Sequence, residues 1–103
     1  MKVTMDDALQ IATDLNAVRM DVVETDGKFG FKVGERSPGE PRLSMEGFDS
    51  KEEAISIMEA TLIGMCQALA ERVPGMKLDL AVSQVKARCA ALRGSPVPAA
   101  AKG

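Results

Sequence analysis

Residues 50–73, SKEEAISIMEATLIGMCQALAERV, decide the fold. Ser50 is placed to cap the first free N–H groups of a helix, and Glu53, three residues on, completes the pattern of a capping box. Pro74-Gly75 ends the helix, because proline has no N–H to give and its ring clashes with the preceding turn. The stretch between these signals predicts one helix of about six turns. Its polar side chains, Glu52, Ser56, Glu59, Gln67 and Glu71, fall near one narrow stripe that Ile63 interrupts. A helix apolar round the rest of its circumference has to be covered on several sides. The other elements are therefore expected to pack around it.

Upstream, Asp26-Gly27 separates two runs of strand-forming residues, Arg19–Thr25 and Lys28–Gly34, as in a two-residue type I′ hairpin. That turn sets Thr25 opposite Lys28, Val23 opposite Gly30 and Asp21 opposite Lys32. On the other face, Glu24 opposes Phe29, Val22 opposes Phe31 and Met20 opposes Val33. The apolar residues then share one face, and a one-residue slip would scatter them. Glu35–Pro41 (ERSPGEP) reads as an exposed, mobile loop. Arg42–Glu46 alternates as a third strand, with Leu43 and Met45 inward. Gly47-Phe48-Asp49 turns into the long helix, where Phe48 is placed to pack on the first turn. At the start of the chain, Thr4 and Asp7 form another capping pattern. Ala8, Ile11, Ala12, Leu15 and Val18 continue it as a helical stripe, predicting a helix over 5–17.

After Pro74-Gly75 two patterns overlap. Met76, Leu78, Leu80 and Val82 alternate as in a strand, whereas Leu78, Val82, Val85, Cys89 and Leu92 recur at helical spacing. The longer pattern favours a helix capped by Asp79 and ending at Arg93-Gly94. The expected fold is α+β: helix, three-stranded antiparallel sheet, long central helix, C-terminal helix. Residues 1–94 form one domain, and 95–103 (SPVPAAAKG) a flexible tail. This order of elements is similar to that of double-stranded RNA-binding domains with a helix added. The lysine-rich start of the second helix in those domains is replaced here by Ser50-Lys51-Glu52-Glu53-Ala54, whose acids repel phosphate.

Composition narrows the chemistry. The 103 residues include no His, Trp or Tyr, three Phe and seven Met, with a net charge of −2. Without histidine, Ser–His and Cys–His nucleophiles are excluded, and the commonest metal ligand is missing. The glycines near the hairpin do not precede a helix, so they make no phosphate-binding loop. Cys66 and Cys89 stand among apolar residues with no metal-binding or redox spacing, as buried free thiols do. Asp6-Asp7 and Glu52-Glu53 are helix-start acids that suit the helix dipole. Glu59, the lone acid of the apolar run, is expected to be solvated. The start of the chain lacks a signal-peptide core, and the long helix is too interrupted to span a bilayer. A cytoplasmic protein with no enzymatic activity and no cofactor is expected.

Two function classes remain. Ala60, Gly64 and Ala68, spaced by four, let another helix approach closely. They serve either as a packing row inside the chain or as a homodimer seam. With the loop residues Arg36 and Glu40, they are the candidate contacts of a protein-binding module: a small adaptor, chaperone or inhibitor, such as a phage or bacterial accessory protein. The alternative rests on charge. Residues 1–70 carry 7 basic and 13 acidic side chains, net −6, and residues 71–103 carry 6 basic and 2 acidic, net +4. Arg72, Lys77, Lys86, Arg88 and Arg93 would then bind nucleic acid, provided they converge on one face. A small-molecule carrier with a Met-rich core is the weakest reading, because no polar group is seen to converge there.

Overall fold

The computed structural model describes residues 3–95. The order is α1 (Met5–Thr13), β1 (Met20–Thr25), β2 (Lys28–Val33), β3 (Leu43–Phe48), α2 (Lys51–Ala70) and α3 (Leu78–Arg93). The three strands form one antiparallel sheet in the order β1-β2-β3. The fold is α+β, with the element order expected from the sequence. The expected tail lies outside the described residues from 96 onward.

The hairpin has the expected register at all six pairs, from Thr25↔Lys28 to Met20↔Val33. Asp26 (φ 53) and Gly27 (φ 79) both take the left-handed conformation that a type I′ turn demands. The register places Met20, Val22, Phe31 and Val33 on the covered face, all buried. On the other face, the Asp21 carboxylate is held by Arg19 Nε at 2.8 Å.

The third strand differs from expectation. It runs on to Phe48, because Phe31 pairs with Met45 but Phe29 pairs with Phe48. Glu46 and Gly47 together therefore stand opposite Gly30, which is a β-bulge. A Cβ on Gly30 would lie 2.7 Å from the Met45 carbonyl oxygen, so the bulge needs glycine there. The bulge brings Phe48 under the sheet, where its ring stacks on Phe31 with centroids 6.0 Å apart. Met45, expected inside, is 42% exposed, because it stands on the edge strand beside the bulge.

The long helix is the centre of the molecule. Ala54, Ile55, Met58, Leu62, Cys66 and Leu69 form its fully buried side. All of these but Leu69 share one core with Ile11 and Leu15, the sheet residues, and Ala81, Val85 and Cys89 of α3. At its start, Ser50 Oγ accepts from the Glu53 N–H at 3.1 Å. The Glu53 carboxylate accepts from the Asp49 N–H instead of that of Ser50, so the capping box is displaced by one residue. By length and composition alone α2 could cross a bilayer. Here it packs against the sheet, α3 and α1 as the central helix of the fold.

The helical reading of residues 78–93 holds, and α3 lies against α2. Its N-cap is Lys77, and no side chain caps it, so Asp79 sits in the first turn and not at the cap. The two helices run antiparallel: Arg93 at the end of α3 returns to Glu52 at the start of α2, with Nε–Oε2 at 3.0 Å. Lys51 Nζ donates to the carbonyl oxygens of Arg93 and Ser95, groups that a helix end leaves without intrahelical partners.

The first helix is shorter than its apolar stripe. It ends at Thr13 with Asp14 as C-cap (φ −140), although Leu15 is still buried and Val18 half-buried. The chain from 14 to 18 is closed by the Ala17 and Val18 N–H groups donating to the Asp14 carbonyl oxygen. It is also held by Arg88, whose two Nη atoms donate to the carbonyl oxygens of Leu15 and Val18, each at 2.7 Å. An apolar spacing shows which residues go inside. It does not show that a guanidinium from another helix will bind the carbonyl oxygens beyond the helix end.

Candidate functional site: the outward face of the helical layer

One surface named from sequence is the loop Glu35–Pro41, and the structure gives it, together with Arg42 just after it, an internal role. Asp7 closes a full capping box with Thr4, accepting from the Thr4 N–H at 3.0 Å while its own N–H donates to Thr4 Oγ1 at 3.1 Å. The same carboxylate is 1% exposed and pairs with two arginines of this segment. Arg36 makes an ion pair to Oδ2 and a 3.2 Å bond to Oδ1. Arg42 Nη1 approaches Oδ1 at 2.9 Å. Hydrogen bonding from Arg36, then the Thr4 N–H, holds the Asp7 carboxyl well below the usual carboxylate range. Arg36 also pairs with Glu40 at 2.9 Å. Around Pro38-Gly39 the Glu40 N–H donates to the Ser37 carbonyl oxygen at 2.8 Å, and Gly39 (φ 80) suits the third position of a type II turn. The loop is exposed, as expected, but fastened to α1 and not free. Arg36 and Glu40 are spent on this clasp.

The second surface is the row Ala60, Gly64 and Ala68. All three face solvent. A Cβ on Gly64 would meet nothing within 4 Å, so the row packs against no element of its own chain. The alternative of an intrachain packing row is thereby overturned. The covered sides of α2 are those toward the sheet, α3 and α1. From Ser56 to Ala68 the exposed residues of α2 are Ser56, Ile57, Ala60, Gly64, Gln67 and Ala68, none of them charged. Ile57 is 38% exposed. The outer side of α3 is similarly smooth, with Leu80 (54% exposed), Ser83, Ala87, Ala90 and Ala91 outward, and charge only at Asp79 and Lys86.

Sequence reasoning missed Ile57 and Leu80 as members of this face. The signal was present: Leu80 belongs to the alternating pattern of residues 76–82 but lies off the helical stripe, so a helix must turn it outward. Glu59 was misjudged too. It is half-buried and paired with Arg93 at 3.5 Å, because α3 packs over part of the stripe that reads as polar.

The basic residues are divided. Arg88 is spent on the 14–18 connection, and Arg93 on Glu52 and Glu59. Arg72, Lys77 and Lys86 remain at the surface. Both cysteines are free and fully buried. Burial raises the pKa of Cys66, and burial followed by the nearby Glu59 pushes Cys89 up to about 11. Among the described residues no group of three or more His, Cys, Asp or Glu side chains is placed to hold a metal ion.

No family model, no curated protein and no solved structure matches the chain, so the element order it shares with double-stranded RNA-binding domains is a likeness of topology alone.

Proposed function

We propose that the protein is a non-enzymatic, cytoplasmic protein-binding module that pairs with a second copy through the outward face of α2. One observation carries this reading. Gly64 sits in the interior of a 20-residue helix, where glycine costs about 1 kcal/mol relative to alanine. Nothing in its own chain needs the missing side chain. Ala60 and Ala68 one turn to either side, with Ile57 beside them, make a low, uncharged track that lets a second helix backbone come close. The nucleic-acid alternative has lost Arg88 and Arg93 to internal contacts, which leaves it little converging charge.

Sedimentation equilibrium tests the proposal. The wild type is expected to dimerise at micromolar concentration, and Gly64→Leu to be monomeric with an unchanged circular dichroism spectrum. A Cβ at this position meets no atom of its own chain within 4 Å, so loss of the dimer with an unchanged spectrum would report the interface and not misfolding. A wild type that stays monomeric at high micromolar concentration overturns the proposal. Binding to heparin that falls steeply with added salt would turn the reading toward nucleic acid.

A further inference from the structure

We draw no further inference here: the strongest candidate apart from the helical face, the shallow trough on the uncovered side of the sheet between Val23, Lys28, Gly30, Lys32 and Glu46, carries charges of both signs, and nothing in the structure shows what covers it.

Discussion

Gly30 and Gly64 look alike in the sequence and differ in what surrounds them. At Gly30 a methyl group would collide with the backbone of β3, 2.7 Å away, and this neighbour is not the flexible end of a side chain. Gly30→Ala is expected to destabilise by about 1–3 kcal/mol, the usual cost of overpacking. Equal urea midpoints for variant and wild type would show that the bulge is not where the register places it. The cysteines are a second residue-scale case. Cys66 and Cys89 are fully buried and hard to ionise, and only the thiolate attacks a disulfide reagent. Both are expected to react with such a reagent only at the rate of unfolding in native buffer, and immediately in denaturant. Fast native labelling of one equivalent of thiol would contradict that burial.

The clasp between α1 and the loop 34–42 belongs to the scale of elements. A nine-residue helix is too short to persist on its own, so α1 depends on its capping and its docking. Asp7 supplies both, since one carboxylate caps the helix and receives Arg36 and Arg42. Asp7→Asn keeps the size and removes the charge, leaving two guanidinium groups without their shared partner. It is expected to lower the melting temperature well beyond Asp6→Asn, because the Asp6 carboxylate is largely exposed and meets Arg42 only at 3.6 Å. The pH dependence follows from the sign of the shift. The folded carboxyl titrates below the ordinary aspartate value of about 3.8, so the stability it contributes is full above that value and is lost as the pH falls toward the folded pKa. Denaturant midpoints taken from pH 7 down to pH 2 should fall less steeply below about pH 4 for Asp7→Asn than for wild type. Parallel curves would remove Asp7 from the clasp.

For the whole molecule the question is how its layers are covered. The sheet lies on α2, and α3 lies on α2, which leaves the helical layer with a smooth outer side. If that side is shared between two copies, folding and pairing are linked by mass action. The melting temperature of the wild type is then expected to rise with protein concentration, and that of Gly64→Leu to stay constant. A wild-type melting temperature independent of concentration over two decades would argue against a folded state supported by pairing.

The local rules written in this chain settled most of the elements. The Asp26-Gly27 turn and the alternation on either side determined the hairpin to the residue, because its neighbours lie within a few positions of one another. The caps at Thr4 and Ser50 fixed where α1 and α2 begin, and the spacing of Leu78, Val85 and Cys89 fixed α3. But α2 ends at Ala70, before the break at Pro74-Gly75, and α1 ends at Thr13, short of residue 17. Tertiary structure decided everything that depended on distant partners. Arg36 and Arg42 meet Asp7 across about thirty residues, turning a loop of prolines and charges into a fastened element. Arg88 reaches back some seventy residues to hold the connection after α1, and Arg93 pairs with Glu59. The bulge opposite Gly30 carries β3 past Gly47, which reads locally as a turn. The spacing of Ala60, Gly64 and Ala68 was plain in the sequence, but its direction was not. A helix shows which residues share a side, and only the packing of the other elements selects the side that stays open.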